Sequence, residues 1–130
     1  MTRMRNPLPQ LRRRCLALPE AHEVVAWSEA TFRVRNKQFA MFASADNHHG
    51  KGRYAVWLKA THFTQDQLVS ARPDQFFVPP YVGTTGWVGM WLDGDPDWAR
   101  VDELLHNGYR LVAPKRLVAA LDAMHAGSVR

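Results

Sequence analysis

The sequence predicts an α+β fold: a two-layer α/β sandwich in which a mainly antiparallel five-stranded sheet carries helices on one face. Three observations predict it. Apolar residues recur at helical spacing near both ends and in two internal stretches. Short runs with strand-like alternation are bounded by Asn, Asp, Gly and Pro. Consecutive strands are joined by segments too short for a parallel crossover, so neighbours pair antiparallel. The predicted order is α-β-β-β-α-β-β-α-α, and 130 residues suit one domain, residues 1–130.

The first helix is expected over Pro7–Leu18. Asn6-Pro7 supplies a cap and a first-turn proline, and Leu8, Leu11, Cys15 and Leu18 form the apolar stripe. Cys15 therefore reads as a small buried hydrophobe rather than a nucleophile. In Thr31–Arg35, Phe32 and Val34 alternate with Arg33 and Arg35; Asn36-Lys37 turns the chain; Gln38–Ser44 is more continuously apolar and Tyr54–Ala60 alternates again. Residues 46–53 between the last two strands (DNHHGKGR) read as a hairpin loop.

Thr64 with Gln67 suggests a capping box opening a short helix that ends at Pro73. Phe76–Val78 and Trp87–Leu92 are the last two strands, separated by Pro79-Pro80 and a Gly83–Gly86 turn. Trp87, Gly89 and Trp91 share a strand face, either as a stacking platform for bases or, on balance, as core under a helix. Asp95 is expected to cap the next helix with Pro96 at its first position; Trp98, Val101, Leu104 and Leu105 face inward and Gly108 ends it. Pro114 opens a final helix with Leu117, Val118, Leu121 and Met124 inward.

Hydrophobic content of 46% against 22% charged residues points to a globular chain. No apolar run reaches the ~18 residues of a membrane span, and no apolar stretch follows the N-terminal arginines, so neither a membrane segment nor a signal peptide is expected. The lone cysteine excludes an internal disulfide. A cytoplasmic monomer is the simplest expectation. The formal charge of +5 is segregated: residues 1–19 hold Arg3, Arg5, Arg12, Arg13 and Arg14 and no acid, whereas residues 73–108 set six acids against Arg100 alone. Such blocks either build a face that attracts polyanions or neutralise one another in the fold.

No catalytic signature is present, so no enzyme activity, catalytic residue or cofactor is expected. His48-His49 lacks partners at metal-ligand spacing, so no metal site is expected. Gly50-Lys51-Gly52-Arg53 lacks the phosphate-loop pattern but leaves a basic hairpin tip. Asp93-Gly94-Asp95-Pro96-Asp97 fails as a calcium loop, with Trp98 at its sixth position and Leu104 at its twelfth.

Four segments carry a resemblance: LALPEAHE (residues 16–23), KQFAMF (37–42), PPYVGTTGWV (79–88) and GYRLVAPK (108–115). Together, and in this order, they resemble the MmcQ/YjbR family of small bacterial proteins. The resemblance implies a two-layer fold like that of type III secretion chaperones. It also implies DNA binding, by analogy to a double-wing arrangement. On that reading Arg33, Arg35, Lys37, Lys51 and Arg53 would contact the phosphate backbone with weak sequence preference. The alternative expectation is a protein-interaction or chaperone-like adaptor. Family members often carry serine where Gly108 stands.

Overall fold

The computed structural model describes residues 5–128, so Arg3 of the basic N-terminal run lies outside the described residues. Its elements are α1 (Leu8–Leu16), β1 (His22–Ala26), β2 (Glu29–Val34), β3 (Lys37–Ala43), β4 (Ala55–Leu58), α2 (His62–Ala71), β5 (Phe76–Phe77), β6 (Val88–Trp91), α3 (Trp98–Val112) and α4 (Lys115–Ser128). The class is the expected one, α+β with an antiparallel sheet. The strand count is six rather than five, in the order β1-β2-β3-β4-β6-β5.

The additional strand is β1. It pairs with β2 through a two-residue turn in which Trp27 and Ser28 both take left-handed φ values of 53° and 63°. Such turns usually announce themselves with Asn or Gly. Trp-Ser carries no such mark, and the edge strand exposes Val25 rather than alternating cleanly. The β2–β3 turn is built the same way from Arg35 and Asn36, with φ of 49° and 67°.

Two helix starts differ from expectation. Thr61, not Thr64, caps α2: its side chain accepts the Thr64 N–H, and extended backbone geometry places it one step before the first helical residue. Asp97, not Asp95, caps α3 by accepting the Arg100 N–H. Gly108 does not stop α3; the helix runs through it to Val112. A Cβ at Gly108 would stand 2.8 Å from the Lys59 carbonyl oxygen and 3.3 Å from that of Phe39. The glycine therefore lets the helix lie directly on strands β3 and β4, a role that sequence alone confuses with termination.

Alternation divides the sheet into two faces. One carries Phe32, Val34, Phe42, Val56, Leu58 and Met90 and packs against α1, α3 and α4 through Leu11, Cys15, Leu105, Tyr109, Leu117 and Leu121. Val118 is only half-buried and Met124 is exposed, so α4 turns a narrower stripe inward than its spacing suggests. A register shift, with Phe32 opposite Ala40 but Arg33 opposite Gln38, leaves Phe39 as an extra residue in β3. Its ring meets Tyr109 edge-on at 5.7 Å, and Tyr109 Oη donates to the Pro19 carbonyl at 2.7 Å.

Candidate ligand-binding site

The opposite face of the sheet has its own apolar cluster, Met41, Ala43, Ala55, Trp57 and Trp87, with Phe77, Val82 and Trp91 against it, and no α-helical residue belongs to it. The Trp87-Gly89-Trp91 face is core, but what fills the glycine gap is a neighbouring strand's side chain rather than a helix. A Cβ at Gly89 would lie within 2.6 Å of the Phe77 ring, which stacks on Trp91 at 4.2 Å. Arg53 covers Trp91 from the other side at 3.8 Å.

Beside this cluster the face opens into a pocket of about 580 Å³, within the 300–1,000 Å³ range of small-molecule sites. Gln38, Met41 and Trp57 line it from the sheet, and Trp27, Tyr81 and Trp87 from the surrounding chain. Trp27 and Tyr81 are 65% and 75% exposed. Both also sit in the left-handed region, with φ of 53° and 66°. Positive φ is uncommon for bulky residues and costs energy, and strain of this kind concentrates at ligand clamps and active sites. The 79–87 segment is held from behind by α2. Gln65 Nε2 donates to the carbonyls of Gly83 (2.8 Å) and Trp87 (2.6 Å), and His62 Nε2 lies 2.8 Å from the Thr84 carbonyl oxygen.

His49, one of the polar residues lining the pocket, backs onto the buried Glu29. Glu29 is 3% exposed on β2, and its Oε2 accepts the Ser44 N–H at 3.0 Å and lies 3.2 Å from His49 Nδ1. Burial pushes the Glu29 carboxyl above the usual range; its hydrogen bond from Ser44 and the adjacent His49 pull it partly back. His49 packs edge-on against Trp57 at 5.5 Å and its ring lies 3.9 Å from that of His48. Adjacent residues point apart only on an extended chain; here successive turns bring both imidazoles together. Trp57 Nε1 is buried without a hydrogen-bond partner, leaving an unsatisfied donor in the same wall. No cluster of three or more His, Cys, Asp or Glu side chains is arranged to hold a metal ion among the described residues.

The basic residues singled out by sequence do not form one patch. Arg33, Arg35 and Lys37 lie at one end of β3 and Lys51 and Arg53 beyond the other, about 20 Å away along the strand. Arg33 Nε donates to Thr31 Oγ1, Arg35 pairs with Glu20, and Arg53 is held bidentate by Asp93 at 2.6 and 3.1 Å. Lys37 and Lys51 are exposed and form no ion pair among the described residues. Elsewhere the charge blocks meet each other: Arg12 with Glu23, Arg14 with Asp102, Arg110 with Asp122 and Arg116 with Glu20. Much of the formal positive charge is thus neutralised within the fold.

Trp27, Glu29, Tyr81 and the Glu29–His49 contact were not singled out by sequence. The residues come from three separate segments that only the β1–β2 turn and the 79–87 loop bring together. The readable signals were the PPY segment and the paired histidines beside a hairpin.

A family model described as YjbR matches residues 16–111. The crystal structure of a Deinococcus radiodurans protein, described as a DUF419 domain, is similar to this chain with a TM-score of 0.69 and 23% identity. The match covers 83% of this chain and 79% of that one. It bears on the fold alone. No curated protein matches the chain. Among the described residues no helix is long and apolar enough to cross a membrane.

Proposed function

The chain belongs to the YjbR family, and from that premise we propose that it is a ligand-binding protein whose working surface is the open sheet face. The pair of exposed aromatic residues in left-handed backbone, Trp27 and Tyr81, over a pocket of about 580 Å³ carries this reading. The left-handed φ of Trp27 serves the β1–β2 turn, but neither the turn nor the 79–87 loop requires a large apolar ring held out toward water, whereas a binding site does. The ligand implied is small, flat and largely apolar, stacked against the indole and phenol rings. Two-dimensional NMR with a library of planar fragments tests it. Shifts should cluster at Trp27, Met41, Trp57 and Tyr81, and Tyr81→Ala should weaken every hit. Absence of saturable binding at millimolar fragment, or shifts scattered over the surface, would overturn it.

The free lysines favour a second reading, DNA binding without strong sequence preference. Lys37 and Lys51 stand exposed, and unpaired among the described residues, toward opposite ends of the strand that contributes Met41 to the pocket. Arg33, Arg35 and Arg53 would support them only where phosphate displaces their present partners. If both lysines contact phosphates, replacing them with alanine should flatten the dependence of log K on log salt by about two units. An unchanged slope would remove them from any interface.

A further inference from the structure

The Glu29–His49 contact specifies more than an apolar pocket requires. Glu29 Oε2 already receives the Ser44 N–H, an obligatory donor, so while the carboxylate is ionised the facing His49 Nδ1 also donates. This fixes the neutral imidazole in the tautomer that carries hydrogen on Nδ1. Nε2 is then a lone-pair acceptor, and it has no hydrogen-bond partner among the described residues. The ring is held in place by Glu29, by the edge contact with Trp57 and by the face of His48. A carboxylate that orients a histidine also makes its second nitrogen a better acceptor.

Resting on the pocket reading above, we infer that the ligand is a planar aromatic ring bearing its own hydrogen-bond donor, a ring N–H or a phenolic O–H, which His49 Nε2 receives. Among the described residues, His49 is the only pocket-lining group whose acceptor is set by a buried carboxylate. The other polar liners, Gln38, Ser28 and His48, have no such partner within the pocket. The ring of the ligand would lie against Trp27 and Tyr81 while its donor edge meets the histidine, so that both geometry and chemistry select it.

The test uses matched probes that differ in the donor alone: indole against N-methylindole, and 2-naphthol against 2-methoxynaphthalene. Affinities are measured at pH 7.5 by NMR titration on the full chain. Each donor compound should bind roughly fivefold more tightly than its methylated partner, the worth of one ordinary hydrogen bond. His49→Phe keeps a flat ring in the wall and removes the acceptor, so it should erase that preference, the donor and methylated compounds of each pair then binding alike. Equal binding of donor and methylated compounds by the wild type would overturn the inference and leave the pocket reading intact. A preference that persists in His49→Phe would assign it to shape and overturn the inference equally. Failure of all four probes to bind would sink both readings at once.

Discussion

The two faces of this sheet obey the same alternation and come to opposite ends. On the helical face every alternate residue is consumed in packing: Phe32, Phe42, Val56 and Met90 meet Leu105, Tyr109 and Leu121, and the one long polar group among them, Tyr109 Oη, finds the Pro19 carbonyl. On the open face small residues, Ala43, Ala55 and Gly89, alternate with large ones, rings remain in contact with water and a buried indole N–H remains without a partner. Trp57 Nε1 is orphaned, Glu29 is buried, and Trp27 and Tyr81 are strained and exposed. The difference teaches that burial alone does not separate core from site. An unpartnered buried donor does not separate them either, since Arg14 Nε on α1 lacks a partner as Trp57 Nε1 does; what separates them is the large rings that only the open face leaves exposed over a pocket.

That contrast is broken most severely from the closed side. Tyr109→Ala removes a fully buried ring and its hydrogen bond, and should cost about 3–5 kcal/mol in denaturant unfolding. Tyr81→Ala, a substitution of the same chemistry on the open face, should stay within about 0.5 kcal/mol, because the ring is three-quarters exposed. A Tyr81 variant as unstable as the Tyr109 one would place that ring in the core and end the distinction.

Gly108→Ala should follow, at about 1–3 kcal/mol. The added methyl meets backbone oxygens rather than a flexible side chain, so α3 must lift from β3 and β4. Helix propensity acts the other way, by roughly 1 kcal/mol in favour of alanine, so any gain in stability would show that the close approach is more forgiving than the geometry says. Gln65→Ala sharpens the contrast in the other direction. It removes the two hydrogen bonds that hold the carbonyls of Gly83 and Trp87, and should cost about 1–2 kcal/mol. It should also weaken fragment binding, since α2 no longer braces the Tyr81 segment. Loss of stability with unchanged binding would detach that segment from the site.

The closed face was the legible one. Periodicity placed Leu11, Cys15, Leu105 and Leu117 inward without any knowledge of the fold, because each answers to a single local period. The open face was read poorly for a physical reason. Its residues come from turns whose left-handed positions are filled by Trp27, Ser28 and Tyr81 instead of glycine or asparagine, so the usual turn marks are missing and β1 passed unseen. Helix ends were misread where two candidate caps stood close together: Thr61 and Thr64, Asp95 and Asp97. Charge blocks were visible, but whether they add or cancel depends on pairings 88 or 96 residues apart, as for Arg14 with Asp102 and Arg116 with Glu20.

The smallest effect concerns the buried acid of the open face. Burial holds the Glu29 carboxyl above the range of an unfolded glutamate, so the native state binds that proton more tightly than the unfolded chain does. By linkage, the wild type bears a cost at neutral pH that shrinks as pH falls through the raised native value and is gone below the unfolded value of about 4.3. Glu29→Gln is neutral at every pH and still offers an oxygen to the Ser44 N–H. It should therefore be as stable as the wild type or slightly more so at pH 7.5, and that margin should close as pH is lowered toward 4. Glu20 and Asp74, whose carboxyls are held below the usual range by Arg35 and Arg72, are common to both proteins and drop out of the difference. Urea unfolding of the pair at several pH values measures that margin. If the margin grows instead as pH falls, Glu29 is stabilised as an anion, and the open face satisfies its buried charge as completely as the closed face satisfies its tyrosine.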